Sequence, residues 1–170
     1  MTQSSQSERL TKILLEWKFR LNKAQIGHYI STERYLRGHY ILGVPLVAAS
    51  AFVSAALFLD LNQASQLLKS MVIILSLSTT TLASLQTFLR FGEKSELHRA
   101  KAARYGAVRR RVELFLAQDH VAAETQSFLL EVQAEWNHIA ADAPVTARSI
   151  RVEVSKMLRA EMKEHQDLTS

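Results

Sequence analysis

Hydrophobic positions follow two patterns along this chain. From Gly38 to Leu59, and again from Ser70 to Leu89, no formally charged residue occurs, and Leu, Val, Ala and Phe crowd the stretch Tyr40–Leu59. Each run is about 20 residues, or about 30 Å as a helix, which matches the hydrocarbon core of a bilayer. Elsewhere apolar residues recur at helical spacing. Leu10, Ile13, Leu14, Trp17, Leu21, Ala24 and His28 form one stripe, and Tyr105, Val108, Val112, Phe115 and Leu116 a second. Phe128, Val132, Trp136 and Ile139 form a third, and Ile150, Val154, Met157, Leu158 and Met162 a fourth. Such narrow stripes predict amphipathic helices that need partners. With five glycines and two prolines in 170 residues, and little alternation of β-branched with polar residues, the pattern predicts an all-α membrane protein. Its expected plan is a two-transmembrane helical hairpin with cytoplasmic amphipathic helices.

The expected order is a flexible start at residues 1–7, a two-span core at 8–117 with spans near 40–59 and 70–89, and a C-terminal helical extension at 118–170. Between the spans lie Asp60 to Gln66, then Leu67, Leu68 and Lys69, a connection short enough to force an antiparallel hairpin. Pro45 falls in the first turn of span one, where its missing N–H costs little, and with Gly43 predicts a bend there. Ser50 with Ser54, and Ala51 with Ala55, are small residues four apart, a spacing that lets helices approach closely in lipid. The break Ala141-Asp142-Ala143-Pro144 ends the third stripe, and Pro144 suits a helix start.

Span two carries Ser76, Thr80, Ser84 and Thr87 within about 80° of one another. A hydroxylated face in lipid turns toward protein or water. Either these hydroxyls satisfy backbone carbonyls or bond to span one, or they line an aqueous path. Two spans enclose no pore alone, so the second option requires a ring of copies.

Charge orients the hairpin. The net charge is +5, but residues 1–37 carry seven Lys/Arg against three Asp/Glu, residues 90–111 eight against two, and residues 112–170 five against ten. Positive charge thus flanks both spans, while the loop has Lys69 alone. The positive-inside rule then predicts both termini in the cytoplasm, and no nucleic-acid contact is needed to explain the basic balance. The first apolar run starts too late for a secretory signal and is expected to be retained. Arg109-Arg110-Arg111 is a candidate contact for anionic lipid or an anionic ligand, or simply a solvated face.

Catalytic chemistry is not visible. Cysteine is absent, which excludes disulfides and thiolate chemistry. The six histidines show no zinc-ligand spacing, and no phosphate-cradling glycine loop or nucleophile elbow occurs. No enzyme activity, cofactor or metal is expected.

The order of Trp17-x-x-Arg20, His28-Tyr29, Tyr35-x-x-x-His39 and Leu42-Gly43-Val44-Pro45, followed beyond span two by Phe88-x-x-Phe91-Gly92, Leu97-His98-Arg99-Ala100, Ala103-x-Tyr105 and Arg109–Glu113, resembles the SLATT domain. That family comprises two-transmembrane effectors associated with SMODS nucleotidyltransferases and SLOG sensors. The resemblance covers about residues 8–117, with an echo at Ala141–Pro144. It implies an oligomeric pore-forming or membrane-disrupting effector in the bacterial inner membrane, serving antiviral defence by abortive infection. The trigger would come from a separate sensor, a nucleotidyltransferase or a nucleotide-derived signal, since no such domain is fused here. The alternative is a membrane anchor or scaffold that recruits a cytosolic partner through its C-terminal helices. For His28 and His98 the expected role is packing or hydrogen bonding that couples the membrane-proximal helices, with pH sensing as the other use of such residues.

Overall fold

The computed structural model describes residues 3–56, 58, 65–118 and 120–169, with side chains for 6–56, 58, 65–118, 120, 121 and 123–163. It is all-helical, with no strand among the described residues. Five helices follow in order: α1 (Gln3–Ala56), α2 (Gln66–Leu89), α3 (Phe91–Leu116), α4 (Ala122–Ala141) and α5 (Arg148–Thr169). They divide into two compact units: Met1–Thr32 with Glu96–Ser170, and Glu33–Ser95.

The first unit is a helical bundle built on the predicted stripes. Leu14 and Leu21 of α1, Tyr105, Val108 and Val112 of α3, and Leu129, Val132 and Ile139 of α4 form one buried cluster. Positions 10, 14, 17, 21, 24 and 28 of α1 advance by alternating fours and threes, which holds one seam toward its partners. Trp17 meets Trp136 edge to face, with ring centroids 5.8 Å apart. Helix α5 sets Ile150, Val154 and Leu158 against Ile26 and Ile30 of α1. Met157 and Met162 remain largely exposed, so the fourth stripe is narrower than expected. Within the stretch after residue 117, α4 shares the core of α1 and α3.

The second unit contains the apolar halves. The structure has two helices long and apolar enough to cross a membrane, and 6% of each apolar window is buried. In α1 the less exposed positions are 35, 38, 39, 42, 43, 46, 49, 50, 53 and 56; in α2 they are 68, 69, 72, 75, 79, 82, 86 and 89. Tyr35 packs against Phe91, and Gly38 also lies against that ring. His39 borders Gly92, and Gly43 lies against the amide of Gln86.

Several expectations change. Pro45 does not end or start a helix; α1 passes through it. One lost backbone bond is a small defect in a helix of 54 residues, and apolar segments tolerate proline where the freed carbonyl finds compensation. Helix α1 also begins at Gln3 rather than after a flexible start, because extending an existing helix is far cheaper than nucleating one. Helix α2 starts at Gln66, earlier than Ser70, because Ser65 caps it by accepting from the Leu68 N–H at 3.3 Å. Most of the expected loop, including Asp60, lies outside the described residues. Helix α5 starts at Arg148, not at Pro144, with the Arg151 N–H donating to the Ala147 carbonyl at 3.1 Å. Of the small residues in span one, Ser50 is half-buried, whereas Ala51, Ser54 and Ala55 are exposed. Gly38 and Gly43 make the close approaches instead.

These glycines are not equivalent. A Cβ at Gly43 would meet the mobile amide end of Gln86 at 3.2 Å, but one at Gly38 would meet the Phe91 ring at 3.3 Å. Replacing glycine in a helix favours the folded state by about 1 kcal/mol, and crowding a rigid ring offsets that gain. Thermal melts in detergent should show Gly43→Ala neutral or stabilised and Gly38→Ala less stable than Gly43→Ala. The reverse order would overturn the packing assigned to Phe91.

Candidate functional site

Two constellations concentrate polar chemistry. The first lies in the bundle. His28 and His98, 70 residues apart in sequence, face each other with their Nδ1 atoms 2.9 Å apart. Both side chains are buried. One ring donates its Nδ1–H and the other accepts, so the neutral pair holds opposite tautomers. Ser31 and Thr32 hydroxyls donate to the carbonyls of Gly27 and His28 at 2.8 and 3.0 Å. The Tyr105 ring lies 5.4 Å from the His28 ring. Lys101, also buried, pairs with the exposed carboxylate of Asp142.

Electrostatics keep this cluster neutral at its centre. Burial lowers the pKa of His28 to about 4, helped by the neighbouring His98 and by the Lys101 charge. Burial alone lowers that of His98. The hydrogen bond to Lys101 holds the Asp142 carboxyl below the ordinary carboxylate range. Burial raises the Tyr105 phenol, with the Asp142 charge adding. The expected hydrogen-bonded coupling of the helices through His28 and His98 is present. Lys101 and Asp142 escaped sequence reasoning because nothing in a lone lysine marks it as buried.

The second constellation is on α2. Val72, Leu75, Thr79, Leu82, Gln86 and Leu89 form the packed face, while Ser76, Thr80, Ser84 and Thr87 are exposed. At 100° per residue the two faces are about 125° apart. The hydroxyls of Thr80, Ser84 and Thr87 donate to carbonyls four residues back at 3.0, 2.9 and 3.0 Å. Their donors are thus met within the helix, and their oxygens stay open on a face that α2 does not use for packing within its unit. Helix α2 ends at Arg90, which takes a left-handed conformation with φ 48°. For a residue other than glycine this costs about 1 kcal/mol, and it marks the boundary of the apolar segment more sharply than the sequence does.

The remaining candidates scatter. Pro45 is exposed, and Phe88 is 81% exposed. Tyr35 packs on Phe91 with the Lys94 ammonium 6.0 Å from its ring centroid. Arg99 pairs with Glu96 at 3.0 Å. The arginine cluster is largely engaged within the bundle. Arg109 donates to Gln25 and Glu113 at 3.1 and 3.0 Å. Arg111 pairs with Glu131 and Glu135 and lies over Phe128. No group of three metal-ligating side chains occurs among the described residues. In comparisons with protein-family models, curated proteins and solved structures, the chain matches none.

Proposed function

We propose that the chain is a SLATT-like membrane effector of a bacterial conflict system, which oligomerises and forms a pore or disrupts the inner membrane when a separate sensor triggers it. The observation that carries this reading is the outer surface of the second unit. Tyr40, Ile41, Val44, Val47, Met71, Ile73, Ile74 and Leu77 all stand more than half exposed. An apolar surface of that extent is stable in lipid and unstable in water. The two segments then cross as a hairpin, with both basic flanks on the cytoplasmic side. The hydroxyl face of α2 needs a further partner that the hairpin itself does not supply. Copies of the same chain offer that partner, and a ring of them encloses a path for water and ions.

A second reading is a membrane anchor that recruits a cytosolic protein through its C-terminal helices. Nothing favours it at the apolar face of α5, because Ile150, Val154 and Leu158 are already covered by α1.

Reconstitution tests the proposal. Placed in liposomes loaded with a self-quenched dye, at densities high enough to drive assembly without the sensor, the chain should release the dye, with a dependence on protein density steeper than linear. Dye retention at every density, with a monomer in native mass spectra from nanodiscs, would overturn it.

A further inference from the structure

A group of cations without carboxylate partners among the described residues lies where α5 packs on α1, away from the arginine cluster. Lys23, Arg148, Arg151, Lys156 and Arg159 line one shallow groove of about 460 Å³, with Val152 and Ser155 between them, and no acidic side chain among the described residues lines it. None of the five forms an ion pair among the described residues, whereas Lys18, Arg20, Lys101, Arg109 and Arg111 all do. Residues 112–170 are acidic as a whole, with ten Asp/Glu against five Lys/Arg. Four of those five cations nevertheless gather on one side of one helix. Repulsion among five like charges opposes this arrangement unless an anion relieves it.

A second cavity adjoins the groove and shares Lys23 and Arg151 with it. It measures about 610 Å³ and is more enclosed. Phe19, Ala24, Gly27 and Val154 give it apolar walls, and His28 of the buried pair lines it. Glu16 at its edge is already paired with Arg20 at 3.7 Å. Gly27 has Thr146 at ordinary contact distance from where a Cβ would stand.

An apolar slot opening into a basic trough has the chemistry of one ligand class. We infer that the site binds a phosphoryl-bearing small anion, its planar or apolar body in the slot beside His28 and two or more negative charges in the trough. Both a soluble nucleotide and an anionic phospholipid present this combination. The site belongs to the helical bundle, and its existence does not depend on whether the apolar hairpin conducts.

The test uses the 170-residue chain in nanodiscs of neutral phosphatidylcholine, with three probes: a nucleoside triphosphate, inorganic triphosphate, and a share of phosphatidic acid in the disc lipid. Binding of the nucleoside triphosphate in calorimetry, falling with salt, identifies a soluble ligand. Phosphatidic acid that copurifies with the chain, without soluble binding, identifies a lipid. In either case Arg151→Glu with Lys23→Glu should weaken binding about tenfold or more, while Arg110→Glu, which reverses an exposed charge outside the groove, leaves it unchanged. Melting followed by Trp17 and Trp136 fluorescence confirms that the variants fold. Inorganic triphosphate binding as tightly as the nucleoside triphosphate would overturn the slot. Failure of all three probes to bind, or equal binding by the charge-reversed variant, would overturn the site.

Discussion

His98→Ala should destabilise the helical bundle by about 2–4 kcal/mol, because it opens a cavity and strips His28 of its buried partner. The loss is large for a pair of neutral rings because neither can turn to water. Both tryptophans of the chain, Trp17 and Trp136, sit in this unit and touch each other, so their fluorescence reports its unfolding without interference from the apolar unit. The same pair sets an acid limit. His28 binds a proton near pH 4 in the fold but near 6.5 when unfolded. Between those values the unfolded chain holds more protons, so stability rises with pH there. It is fully present above about 6.5 and is lost as pH falls toward 4. After allowance for solvent screening this amounts to about 1–2 kcal/mol for His28. Asp142, held low by Lys101, acts in the same direction at still lower pH. The double variant His28→Leu with His98→Leu keeps the volume and removes both titrating rings. Its melting temperature should be nearly flat from pH 6.5 to 4.5, where the parent's falls. An acid slope as steep as the parent's would show that other groups carry it.

Single protonation does not break the His28–His98 bond, since an imidazolium still donates to a neutral ring. Charge enters first against burial and against Lys101, and the bond itself fails when the second ring is protonated.

What the sequence made legible was periodic. Stripes at 3.5-residue spacing located the cores of α1, α3 and α4, because burial selects apolar residues at every turn. Two charge-free runs located the apolar helices by length and composition, although little of either is buried within the chain. The hydrogen-bonded coupling of His28 and His98 was also open to reading, from their helical register beside those stripes. Features made by tertiary approach were not legible. Gln86 against Gly43, Lys101 against Asp142, and the trough of Lys23 with four cations of α5 join residues 41 to 136 positions apart. Net charge misled most directly: the acidic balance of residues 112–170 hid the basic side of α5, while the conspicuous Arg109-Arg110-Arg111 run is mostly spent on Glu113, Glu131, Glu135 and Gln25. Proline misled at residue 45, where local breaking tendency lost to the length of α1 on both sides.

The hydroxyl face of α2 yields the largest functional change. Thr80→Leu with Ser84→Leu should reduce dye release from liposomes by an order of magnitude or more, to near the protein-free background. The argument is geometric. These side chains lie about 125° from the face that α2 packs with, so leucine there disturbs no contact within the unit. Their hydroxyls already satisfy the helix's own carbonyls, so the fold does not need them, and leucine favours the helix. What the substitution removes is open oxygens at the level of two successive turns, where a water column between copies would need them. A matched control places the same added bulk elsewhere: Ala51→Leu with Ala55→Leu, on an exposed face of α1, should leave release intact. Equal release from the Thr80/Ser84 variant and the parent removes that face from the lumen. Loss of release in both variants would instead point to crowding between copies, and the hydroxyls would then act as interhelical contacts and not as a wetted wall.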